Sequence, residues 1–232
     1  MRIEQHHSAL PIENLDIFDD QSKINRHGDL FPHSCRFLIV GPSGCGKSNA
    51  LLSLLLHPNG LRFENVYIFS KSLYQPKYQL LEEVLKNVEG IGYHSYEEND
   101  DIIDPSNACE NSVFIFDDIC NSKQDKIKSY YSMGRHKMID VAFLCQTYVA
   151  INKHLIRDNA NIIAIFRSDD VNLRHIFNEH ITPDMNYEKF KEICSFCWNA
   201  ENYGFLTIVK DFNLHEGRYR QGFDKFINIT DN

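Results

Sequence analysis

The residues at positions 41 to 48, Gly41-Pro42-Ser43-Gly44-Cys45-Gly46-Lys47-Ser48, fit the pattern G-x-x-x-x-G-K-[ST] at every fixed position. That spacing has a chemical reason. Glycines let backbone N–H groups turn inward around phosphate oxygens. Lys47 then reaches the β- and γ-phosphates, and the Ser48 hydroxyl suits Mg²⁺. A helix starting at Ser48 aims its positive end at the same phosphates, with Asn49 in its first turn. The expected ligand is ATP with Mg²⁺. Cys45 occupies a variable position and reads as packing rather than catalysis.

Asp117 and Asp118 close the apolar run VFIF, about 70 residues further on. An acid at a strand end can hold the metal beside Ser48, and a second can polarise the attacking water. Asp117 is assigned to the metal and Asp118 to the water. Glu is more usual in the second role, and Asp is one methylene shorter. A turn or N-cap acid is the structural alternative. Gln146 follows the run VAFLC; beside the γ-phosphate its amide would orient water or sense phosphate loss. Thr147 is a weaker candidate.

No arginine obviously completes the site within one chain, which points to a neighbour's arginine. Arg135, in Met133-Gly134-Arg135-His136, is preferred for that role, with Arg157 as the other candidate. Cys194-x-x-Cys197 with His175 and His180 upstream has zinc-like ingredients, but the order is reversed from a zinc finger and residues five apart on a helix do not share a face well. Core packing with Trp198 is therefore the preferred reading and zinc the alternative.

These residues need a scaffold that brings strand ends together. RFLIV (36–40), VYIFS (66–70), VFIF (113–116), VAFL (141–144), IIAIF (162–166) and GFLTIV (204–209) read as strands, with a possible short one at 90–94. Helical patterns cover 48–56, 75–87, 123–133, 171–179 and 187–196. This alternation predicts an α/β fold: a P-loop NTPase of the RecA-like (ASCE) type, with a mostly parallel sheet sandwiched by helices. The strand at 66–70 lies between the loop strand and the acid strand in the chain, so at least one strand is expected to separate them in the sheet. The expected organisation is an arm at 1–30, an ATPase core at 31–210 and a tail at 211–232 packing on the core.

The formal charge is −8, unlike a protein that coats DNA nonspecifically, so any DNA contact must be local. Lys123, Lys126, Lys128, Arg135 and Lys137 form a basic stretch interrupted only by Asp125. No run approaches 18 apolar residues, so no membrane helix is expected. The opening MRIEQHHSAL has no apolar run of the signal-peptide kind, and seven cysteines without a framework suit a reducing, intracellular setting.

Together these segments resemble the genome-packaging ATPases of the FtsK/HerA superfamily. The likeness is nearest to those of Maverick/Polinton elements, virophages and the large nucleocytoplasmic DNA viruses, poxviruses included. It runs from Pro32 to Phe226. Its carriers are GPSGCGKS (41–48), VFIFDDI (113–119), GRHKMIDVAFLCQTY (134–148), IRDNANIIAIFRSDDVNLRHIF (156–177), CSFCW (194–198) and YGFLTI (203–208). The resemblance implies ATP-driven translocation of double-stranded DNA into a viral or virus-like capsid. It also implies a homo-oligomeric ring, hexameric or pentameric, docking on capsid vertex proteins in a host nucleus or viral factory. The other readings are a nucleotide-binding assembly or scaffold protein with little turnover, and a small-molecule kinase. The kinase would need an acceptor pocket and an arginine-rich lid, neither of which can be located.

Overall fold

In RFLIV, which forms strand β1 (Arg36–Val40), side chains alternate between two cores: Phe37 and Ile39 enter one, Leu38 and Val40 the other. The same alternation recurs in β2 (Asn65–Ser70) and β4 (Ser112–Asp117), where Val66, Ile68, Val113 and Ile115 face one side and Tyr67, Phe69, Phe114 and Phe116 the other. Strands this apolar on both faces need helices on both faces. Helices α1 (Lys47–Leu56) and α2 (Pro76–Lys86) cover the first; α3 (Gln124–Met133), α4 (Asp170–Ile176) and α5 (Tyr187–Trp198) cover the second. The structure, a computed structural model, describes residues 26–97, 102–119, 124–133, 137–200 and 203–229.

The remaining strands are β3 (Gly92–Tyr96), β5 (Ile139–Cys145), β6 (Ile162–Ile165), β7 (Leu206–Val209), β8 (Tyr219–Gln221) and β9 (Lys225–Ile227). Among the described residues they form one sheet in the order β3-β2-β4-β5-β1-β6-β7-β8-β9. It is parallel from β3 to β6, and antiparallel pairing begins at β7. The mostly parallel α/β sandwich expected from the sequence is therefore present.

One topological detail differs from the expectation. A strand does separate β1 from the acid strand β4, but it is β5, the strand that leads into Gln146, and not β2. Chain order did not identify the intervening strand because parallel crossovers let a later strand insert between earlier ones. Residues after Lys210, set apart above as a tail, supply β8 and β9 and so extend the core's own sheet. Of the arm at 1–30, residues 1–25 lie outside the described part; Arg26 and His27 reach the buried Asp140 of β5.

Candidate active site

The parallel strands β1, β4 and β5 all end on one side of the sheet, where the crevice outside their carboxyl ends is the place for a ligand. The loop Gly41–Ser48 leaves β1 there. The Gly41 N–H donates to the Cys145 carbonyl at 3.2 Å, tying the loop's start to the end of β5. A Cβ on Gly41 would lie 2.5 Å from Cβ of Phe166. Gly46 begins α1 with φ of 107°, a backbone that side-chain-bearing residues resist. A Cβ there would also run into the Tyr203 ring at 2.6 Å. The Lys47 ammonium folds back and donates to the carbonyls of Gly41 (2.6 Å) and Pro42 (2.9 Å).

Asp117 is the last residue of β4 and is nearly buried. Its Oδ2 accepts a hydrogen bond from Ser48 Oγ at 3.4 Å and another from the Tyr78 hydroxyl. Burial pushes its carboxyl above the usual range, while the Tyr78 hydrogen bond and the charges of Lys77 and Lys47 pull it back down. Burial, together with Asp117, raises the Tyr78 phenol. Asp118 stands in the left-handed region with φ of 56°. Its carboxylate accepts from Gln146 Nε2 at 3.4 and 3.3 Å, an amide held at the end of the neighbouring β5.

Ser43, Gly44, Gly46, Lys47, Ser48, Asn49, Asp117, Asp118 and Gln146 thus line one cavity of about 340 Å³. Gly41, Pro42 and Cys45 support the loop without lining it; Cys45 packs on the core beneath, and burial raises its thiol. Thr147 is exposed and lines a smaller adjoining hollow with Asp118 and Gln146. Arg135 and His136 lie outside the described residues.

Two of the secondary candidates are placed away from the roles considered for them, and the preferred core packing of the two cysteines is what is seen. Arg157, the second candidate for action across a neighbour, is buried: its guanidinium pairs with Glu179 at 3.0 Å and stands over the Tyr148 ring. In this arrangement the guanidinium is turned into its own chain rather than outward to a neighbour. The zinc-like set does not assemble among the described residues. Cys194 and Cys197 are free thiols in the core under α5, His175 is exposed, and His180 Nε2 meets the Tyr148 hydroxyl at 2.7 Å. Burial drives the His180 imidazole down to about 3, so it is neutral at ordinary pH. A different trio, His27, Cys35 and Asp140, has ligand atoms within 4.8 Å of one another. The Arg26 guanidinium already stands 3.1 Å from Asp140 Oδ2, so the cation there is an arginine.

The sequence reading missed Lys77, Tyr78 and Tyr203. Tyr78 falls within the helical pattern at 75–87, where its ring suits an apolar position; its hydroxyl reaches the site. Lys77 and Gln75 line the cavity from the start of α2, and Tyr203 from the turn before β7. The available signal was position: each sits just beyond or before a strand end on the ligand side of the sheet.

The Poxvirus A32 protein family model matches residues 21–225. The chain belongs to this family. It is a viral genome-packaging ATPase, as the resemblance implied. No curated protein gives a significant match. Among solved structures, the genome packaging NTPase B204 from Sulfolobus turreted icosahedral virus 2, in complex with AMP, is similar at 15% identity and a TM-score of 0.51. The match covers 77% of this chain and 94% of that one. The same protein in complex with ATP-gammaS matches at 15% identity and a TM-score of 0.50, over 77% and 93%. At such identity the shared property is the fold. Among the described residues, no helix is long and apolar enough to cross a membrane.

Proposed function

We propose that this chain hydrolyses ATP to drive double-stranded DNA into a viral or virus-like capsid. The observation that carries the reading is the gathering of Lys47, Ser48, Asp117, Asp118 and Gln146 around one cavity, in a member of a packaging-ATPase family. The adenine nucleotide analogues bound by the B204 structures, ATP-gammaS and AMPPCP, support ATP as the ligand here.

Ser48 and Asp117 place an alcohol and a carboxylate oxygen 3.4 Å apart, a hard oxygen pair that fits Mg²⁺. Bound there, the ion would neutralise charge on the phosphate oxygens. The chain's own groups supply the rest. Backbone N–H groups of the loop and of the first turn of α1 bind phosphate. Lys47 exchanges its two carbonyl acceptors for phosphate oxygens. Asp118 accepts a proton from the attacking water, and Gln146, already bonded to it, fixes the carboxylate's direction.

Arg135 is the residue we assign to action across a ring of identical subunits, hexameric or pentameric. Lys126 and Lys128 on α3 are the assigned DNA-facing charges, although Lys128 also pairs with Asp125 on the same helix. Docking on capsid vertex proteins in a host nucleus or viral factory completes the reading.

Phosphate release with and without double-stranded DNA tests it. Stimulation by DNA is expected in the wild type, and none in Lys47→Ala. Turnover that no DNA alters would sink the translocation reading.

A further inference from the structure

A second lysine faces the cavity from the side opposite the phosphate loop. In the sheet order β2-β4-β5-β1, the acid strand β4 has β2 on one flank and β5, then β1, on the other. The loop approaches Asp117 from the β1 side. The helix α2 follows β2, whose last residue Ser70 pairs in register with Asp117. The start of α2 therefore stands against the acid from the far flank. Lys77 lies in its first turn and lines the same cavity as Lys47, Ser48 and Asp117.

The surroundings of Lys77 leave its charge directed at that space. Its neighbour Tyr78 is bound to Asp117, which fixes this turn of the helix on the acid strand. The Lys77 ammonium stands 5.5 Å from the Tyr78 ring centre. Among the described residues it forms no ion pair. Lys77 and Lys47 both line the cavity that Asp117 faces, one from each flank of the acid strand.

A triphosphate laid along the loop brings its terminal phosphate nearest to Asp117, and so nearest to Lys77. It also brings more negative charge than one lysine offsets, and Asp117 and Asp118 add to that charge. Preorganised cations aimed where charge gathers are the efficient remedy. We propose that Lys77 is a second phosphate-binding cation, supplied by the same chain, that contacts the terminal phosphate. The assignment rests on the nucleotide reading of this cavity.

Titration calorimetry of ATP-gammaS and of ADP, with and without Mg²⁺, tests it on wild type, Lys77→Ala, Lys77→Arg and Lys47→Ala. Lys77→Ala is expected to weaken ATP-gammaS about tenfold or more, the scale of a hydrogen bond to a charged group, and to leave ADP within about twofold. Lys77→Arg should recover most of the loss, and Lys47→Ala should weaken both ligands. Equal loss of ATP-gammaS and ADP in Lys77→Ala, or no loss of either, overturns the assignment. Failure of the wild type to bind either nucleotide would instead overturn the nucleotide reading beneath it. Lys77 is half-buried on a helix surface, so unchanged thermal unfolding is expected and would confirm that the variants are folded.

Discussion

Two buried aspartates sit at opposite ends of neighbouring strands, and the fold treats them differently. Asp140 lies at the start of β5, fully buried. Its Oδ1 accepts the Cys35 N–H at 2.8 Å. Its Oδ2 has the Arg26 guanidinium at 3.1 Å and His27 Nε2 at 3.0 Å, at ion-pair distance though without aligned hydrogen bonds. His27 is itself held, its Nδ1 accepting the Arg62 N–H at 3.0 Å. Asp117, at the end of β4, has among the described residues only the hydroxyls of Ser48 and Tyr78 as side-chain hydrogen-bond partners, and its two lysine neighbours act through space. At the amino ends of the strands the fold answers a buried charge with a cation. At the carboxyl ends it answers with hydroxyls and leaves the carboxylate facing a cavity. A buried acid whose charge is only partly met is the mark of a site, and one met by its own chain is the mark of an anchor.

Exchanging each carboxylate for an amide would sharpen the contrast. Asp140→Asn leaves Arg26 buried without its counter-charge. The expected cost is about 3–5 kcal/mol, which for a chain of this size lowers the melting temperature by on the order of 10 °C. Calorimetry or a thermal shift assay reads it directly. A midpoint within a degree of wild type would mean that Asp140 is not the anchor described. Asp117→Asn should do the reverse. It removes a charge whose burial is unfavourable, so the midpoint should hold or rise. Phosphate release should fall by about a hundredfold, the scale of losing one group that organises transition-state charge. A large drop in melting temperature with turnover preserved would invert the comparison.

Much of this site was legible because its residues stand immediately after continuous apolar runs. Lys47 and Ser48 follow RFLIV across a glycine-rich loop, Asp117 and Asp118 end VFIF, and Gln146 ends VAFLC. A parallel strand buried on both faces announces itself by such a run, and its end faces the ligand. The acid at the other end of the sheet was not legible for a related reason. The strand was read from Val141, since a charged residue at a strand's start looks like loop; in the structure Ile139 and Asp140 belong to β5. The antiparallel turn at β7 was equally hidden, because GFLTIV reads the same in either direction. Strands β8 and β9, three residues each with Arg220, Gln221 and Lys225 among them, are too short to show a period. Tyr78 was hidden by its own chemistry: an aromatic ring satisfies a helix's apolar stripe, and nothing in spacing says where its hydroxyl ends.

That hydroxyl gives the finest test of the comparison. Tyr78→Phe keeps the buried ring and deletes one of the two hydroxyl partners of Asp117. If the carboxyl end of the sheet is open by design, water entering the cavity can replace the lost donor. The expected cost is then only that of one ordinary hydrogen bond, about 1 kcal/mol or less, well below the loss in Asp140→Asn. Urea unfolding of the two variants side by side measures the difference. Equal destabilisation would mean that Asp117 depends on its fixed partners as strictly as Asp140 does. The two ends of the sheet would then differ in which groups meet the charge, but not in how completely they meet it.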